Sequence, residues 1–173
     1  MIYWILLFSL PFLLTAGIAG LKGAPWVPTK RGLIEGLQSE LPVKPGMRIY
    51  DLGCGDGRVL FSLNASFPNA FFTGHEISLL PYLVAKLRAV QHKNLTIQYK
   101  DVSRTDYSDA DILFLFWMSD SSKRLLDKLA PTLKPEALIV VEGWQPTEAT
   151  PIQIIHPEKQ MPIFVYRAKQ WKE

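Results

Sequence analysis

Three features of this chain predict an α/β fold built on a parallel, doubly wound sheet. From residue 46 onward, short apolar runs alternate with segments of helical period, the signature of strand–helix–strand units. A glycine-rich turn, Gly53-Cys54-Gly55-Asp56-Gly57, follows the first apolar run directly. Acidic residues then close successive strands: Asp51, Glu76 and Asp101. The 173 residues suffice for about one domain with a substantial core.

The first element is of another kind. Ile2 to Leu21 is a twenty-residue run without a charged side chain. At about 1.5 Å per residue a helix of that length covers the hydrocarbon core of a bilayer, ~30 Å thick. A secretory signal would carry a basic leading segment and a shorter apolar stretch. A buried core helix seldom runs so far without a polar face. The expectation is therefore an uncleaved, single-pass transmembrane helix over residues 1–21. Lys22, Lys30 and Arg31 follow it while no basic side chain precedes it, which places the rest of the chain in the cytoplasm.

Residues 22–45 read as a Pro/Gly linker and a helix. Thr29 is a candidate cap, and Leu33, Ile34, Leu37 and Leu41 recur at helical spacing up to Pro42. The main domain, 46–173, opens with a strand over Met47–Tyr50 and a helix from Arg58 to Phe67. Ala70–His75 is a second strand, Leu79–Gln91 a helix, and Leu95–Tyr99 a third strand. The apolar run Asp111–Phe116 suits a central strand buried on both faces. A helix over Asp120–Leu133 and a strand over Ala137–Glu142 follow. Too few residues separate Glu142 from Pro151 for a full helix, so Ile152–Ile155 and Ile163–Arg167 are expected as a closing antiparallel pair.

Composition narrows the function classes. With 19 Lys and Arg against 16 Asp and Glu the chain is only mildly basic, and no block of like charge suggests a nucleic-acid arm. The lone Cys54 excludes an internal disulfide, and with three scattered histidines it makes no metal set.

The glycine turn is the most informative segment. Alternate glycines permit positive φ and let a ligand approach closely. A phosphate cradle recruits an anion to a helix N-terminus and has no use for a carboxylate, yet Asp51 stands immediately before the loop. The spacing G-x-G-x-G also differs from the dinucleotide fingerprint G-x-G-x-x-G. A cationic ligand fits better, and S-adenosyl-L-methionine carries a sulfonium and an ammonium. Asp51-Leu-Gly53-Cys54-Gly55-Asp-Gly57 resembles the first motif of the seven-stranded, Rossmann-like methyltransferases that use this cofactor. The resemblance implies that Asp51 and Gly53 face the methionine end, and that Cys54, Gly55 and Gly57 shape the loop. Glu76 offers two acceptor oxygens to ribose hydroxyls. Asp101 and the amide of Val102 resemble the pair that recognises adenine.

A narrower resemblance covers nearly the whole chain. Gly23-Ala-Pro25-Trp-Val27-Pro28-Thr29 after an apolar helix, the glycine motif, and the ending Pro162-Ile-Phe-Val-Tyr166 are similar to the membrane-anchored protein-lysine methyltransferases. Mitochondrial members of that family modify the ATP synthase c-subunit and the adenine nucleotide translocase. The resemblance implies a lysine of an integral membrane protein as acceptor and Thr29 as a cofactor contact. The aromatic side chains Trp117 and Trp26 are expected to line the acceptor pocket, since an amine nucleophile needs desolvation and alignment. A small-molecule or lipid-head-group methyltransferase and a non-catalytic cofactor-binding module remain the alternatives.

Overall fold

The computed structural model describes residues 2–21, 28–146, 149–157 and 160–171, with side chains of the first helix described from Ser9 onward. Helix α1 spans Ile2–Leu21 and α2 spans Arg31–Glu40. Then come β1 (Arg48–Leu52), α3 (Arg58–Ser66), β2 (Phe71–Glu76), α4 (Leu79–Ala89) and β3 (Leu95–Tyr99). The chain continues through β4 (Ile112–Leu115), α5 (Ser119–Leu129), β5 (Leu138–Glu142), β6 (Gln153–Ile155) and β7 (Ile163–Arg167).

Seven strands form one sheet in the order β3-β2-β1-β4-β5-β7-β6. Strands β1 to β5 are parallel, while β7 runs antiparallel to both β5 and β6. The mixed sheet thus ends in the antiparallel pair read from the sequence. The order reverses at β1, which lies between β2 and β4, and a cleft at the carboxyl ends of the strands is expected there. Only a single 3-10 turn, Val102–Arg104, lies between β3 and β4 where a helix would otherwise cross over.

The period-two alternation of the strands splits the core into two layers. Ile49, Phe72, Ile97, Phe114 and Val140 pack with α2 and α3 on one face. Leu52, Leu113, Leu115, Ile139 and Tyr166 pack with α5 on the other. Every residue of β4 is buried, as its unbroken apolar run requires.

Two expectations need correction. Thr29 does not cap α2: the N-cap residue is Lys30, and no side chain closes that helix end. The helix expected at Ile2–Leu21 forms, but among the described residues no helix is long and apolar enough to cross a membrane. Its second half is instead committed to the domain. Ala19 is buried, and the Thr15 hydroxyl accepts a hydrogen bond of 3.0 Å from the amide of Leu79 in the first turn of α4. The other side of α1 exposes Leu10, Leu13, Leu14, Ile18 and Leu21.

Candidate active site

The glycine turn is held by hydrogen bonds from its own backbone. Gly53 and Cys54 both donate to the carbonyl of His75, at 2.8 and 3.0 Å, which ties the turn to the end of β2. Gly53, Gly55 and Gly57 have φ of 88°, 56° and 77°, a region side chains rarely adopt. Gly53 is required twice over, since a Cβ there would lie 2.8 Å from the indole nitrogen of Trp117.

Glu76 has a different role from a free ribose acceptor. One carboxylate oxygen accepts from the amides of Ile77 (2.8 Å) and Ser78 (2.7 Å), the other from the amide of Gly55 (2.8 Å). Three of about four lone-pair positions are therefore engaged in holding the loop in place. One is left for a ligand.

Asp51 is buried at 4% exposure beside Glu76, and among the described residues its carboxylate has no hydrogen-bond partner. Burial, reinforced by the Glu76 charge, pushes it up to about 7. A buried acid without a partner at a cleft wall is a site for a cation or a donor group. Cys54 is driven the other way from reactivity: burial and the nearby Asp51 and Glu76 charges raise its thiol well above the ordinary value. His75 is lowered to about 4 by burial and by Lys100, and its Nδ1 lies 2.8 Å from the Tyr107 hydroxyl, so it serves as a neutral core residue.

The cleft has a volume of about 640 Å³. Thr29, Asp51, Gly53, Cys54, Gly55, Glu76 and Trp117 all line it. Arg58 connects two of its walls, pairing with Asp56 at 2.8 Å and reaching the Thr29 carbonyl at 3.4 Å. Burial would raise Asp56, but its hydrogen bonds with Arg58 outweigh that and hold it below the usual carboxylate range.

Three expected contacts are not among the lining residues. Gly57 starts α3 behind the loop, where a Cβ would strike the Phe61 ring at 2.6 Å. Asp101 caps the short turn after β3 by accepting from the amide and hydroxyl of Ser103, and Val102 is buried. Trp26 lies outside the described residues.

Two residues escaped the sequence reading. Glu142 ends β5 and lines the cleft with Phe116, Trp117, Met118 and Met161; burial raises its carboxyl, with Lys30 opposing. It is a fourth strand-end acid, and that repetition was the available signal. Gly74 lies within β2, and a Cβ there would meet the Cys54 sulfur at 2.6 Å. A glycine inside a strand marks such a close approach.

This sheet order, with a glycine turn and acids at the strand ends, defines the class I methyltransferase fold. Its likeness to a Salinibacter ruber RNA methyltransferase solved with S-adenosyl-L-homocysteine has a TM-score of 0.76 at 21% identity, covering 82% of this chain and 94% of that one. A Geobacter sulfurreducens S-adenosylmethionine-dependent methyltransferase, also solved with S-adenosyl-L-homocysteine, gives 0.56 at 25% identity over 70% and 53%. The chain belongs to the ANTKMT methyltransferase domain family, whose profile matches residues 51–153. It is 27% identical to a protein-lysine N-methyltransferase of Saccharolobus islandicus over 75% of this chain and 85% of that protein. It is also 33% identical to a trans-aconitate 2-methyltransferase of Deinococcus radiodurans, over 61% and 41%. The protein is an S-adenosyl-L-methionine-dependent methyltransferase.

Proposed function

We propose that this chain methylates the side-chain amine of a lysine in a membrane-associated protein. The observation that carries the reading is the lining of the cleft, where Phe116, Trp117, Met118 and Met161 occur together with one partly buried carboxylate, Glu142. A lysine matches it: a four-carbon stem against apolar side chains and an amine at an acid. The Saccharolobus relative, named as a protein-lysine N-methyltransferase, supports the same acceptor class.

The residues suit the cofactor. Asp51 offers a buried carboxylate to its positive groups, the open backbone at Gly53 and Gly55 admits it, and one lone pair of Glu76 remains for a hydroxyl. Thr29 borders the same cleft, and Asp101 with Val102 is retained as the adenine-recognising pair implied by the family resemblance. When bound, S-adenosyl-L-methionine supplies an electrophilic methyl group on sulfur. Bound acceptor and cofactor cover these apolar side chains, and desolvation of the acceptor amine lowers its pKa from about 10.4. Glu142, raised by burial, accepts the amine's hydrogen bond and is the acid placed to take its proton. The exposed apolar side of α1 rests the enzyme on a membrane surface, and the catalytic domain is placed on the cytoplasmic side, where the cofactor is made.

Incubating membranes with methyl-labelled cofactor tests the proposal. Label on protein lysine is expected and should rise with pH. Label confined to lipid, nucleic acid or small molecules refutes it.

A further inference from the structure

Helix α4 is amphipathic in the wrong direction for a helix covering a sheet in water. Its inward face is made mostly of small residues: Ser78, Pro81, Ala85 and Ala89 are buried, with Tyr82 half-buried beside them. Its large apolar residues point outward at helical spacing, with Leu80, Leu83, Val84, Leu87 and Val90 between 40% and 80% exposed. Close packing over the glycine loop explains the small side, since Ala85 comes within 3.4 Å of where a Gly57 Cβ would stand. Nothing in the fold explains the large side. The stripe runs on into α1, which is bonded to the first turn of α4 through Thr15 and presents its own apolar side. Together these two helices, with the C-cap Val90, carry ten of the sixteen exposed large apolar residues described. Two exposed apolar helix faces on helices joined by a hydrogen bond mark an interaction surface.

Charge selects the occupant. Residues 77–100 contain Lys86, Arg88, Lys93 and Lys100 and no acid, and no acid precedes Glu35. Arg88 is engaged by Asp56 and Lys86 by the Ile97 carbonyl, which leaves Lys93 and Lys100 on the exposed rim. Tyr99, 51% exposed and ring to ring with Tyr82 at 5.3 Å, lies at the same edge, the type of side chain that settles at a membrane interface. A second copy docking by two-fold symmetry would set this basic face against itself. An apolar stripe flanked by the exposed Lys93 and Lys100 is complementary to an anionic lipid surface.

We infer that the α1–α4 face is a membrane-docking surface, so that the catalytic domain itself rests on anionic lipid through Leu83, Leu87 and Val90. The inference rests on the membrane reading above and is independent of the lysine reading. Leu79 is three residues beyond Glu76, so docking holds the cleft mouth close to the lipid plane.

The full chain carrying Leu87→Cys, labelled with an environment-sensitive fluorophore, is mixed with phosphatidylcholine vesicles with and without phosphatidylglycerol. Asp127→Cys on α5, across the sheet, and the unsubstituted chain, which reports labelling of Cys54, are the controls. The expected result is a blue shift and severalfold quenching by nitroxide lipids at position 87 only, stronger with anionic lipid and weakened by salt. Flotation with the vesicles but no quenching at position 87 overturns the docking face while leaving α1 as the attachment. Cross-linking of position 87 between two copies, without lipid quenching, overturns it in favour of a dimer. A chain that does not float overturns both membrane statements. Lysine labelling of detergent-solubilised protein reads the acceptor chemistry separately.

Discussion

The indole Nε1 of Trp117 donates to the backbone carbonyl of Leu52, the last residue of β1. One side chain after β4 thereby fixes the strand end that delivers Asp51 and the glycine turn, and also forms the cleft wall. Trp117→Phe keeps a ring but loses the bond. It should cost about 0.5–1.5 kcal/mol of stability, as for a typical intramolecular hydrogen bond. It should also raise the KM for acceptor more than the Kd for cofactor, as denaturant melts and steady-state kinetics would show.

Gly53→Ala meets the same contact from the other side. At φ 88°, with a Cβ 2.8 Å from the indole nitrogen, the loop must move or strain by roughly 1–3 kcal/mol. Calorimetry should show loss of S-adenosyl-L-methionine binding in a chain that still melts cooperatively.

Asp51 makes cofactor affinity depend on pH. Its carboxyl, held up to about 7 by burial and the Glu76 charge, is largely protonated below that value. A cationic ligand selects the ionised form, so affinity should fall by about tenfold per pH unit below 7. Titration calorimetry in buffers of different ionisation enthalpy should detect a proton released on binding at pH 6. For the unliganded protein the sign reverses. The folded state holds the proton more tightly than an unfolded aspartate, so stability declines as pH rises from about 4 to about 7. Asp51→Asn should flatten that decline while abolishing tight cofactor binding.

Glu76 is more structural than its position at a strand end suggested. In Glu76→Gln, an amide group replaces an acceptor that now faces backbone N–H groups, and an unsatisfied buried donor costs about 1–3 kcal/mol. The variant should lose both melting temperature and cofactor affinity. Loss of affinity with unchanged stability would contradict the three amide bonds described.

Glu142→Gln should leave cofactor affinity intact and lower kcat. Its rate should rise with pH more steeply than the parent's, because the acceptor amine must then lose its proton to solvent. A variant with parental kcat and pH profile would remove Glu142 from the mechanism.

The order of elements and most of the cleft were legible because they rest on local rules. Glycines at positive φ, acids ending strands and the buried run of β4 are visible in single segments. The residues missed depend on tertiary neighbours. Gly74 matters because Cys54, Leu60 and Ile97 approach β2 from other segments, and Glu142 because β5 lies next to β4 with its end at the same cleft as Met118 and Met161. The helical period of α4 was readable, but periodicity marks an apolar face without saying whether protein or lipid covers it. Likewise the unbroken apolar run of α1 gave no sign that Thr15 would bond to α4 and Ala19 be buried.

The Thr15–Leu79 hydrogen bond bears on how the enzyme can be handled. A shortened chain beginning after Leu21 would uncover Ala19's contact surface and leave the first amide of α4 to water, two residues past the Glu76 amide ligand Ile77. Trimming the apolar helix is therefore expected to loosen the turn whose amides hold Glu76.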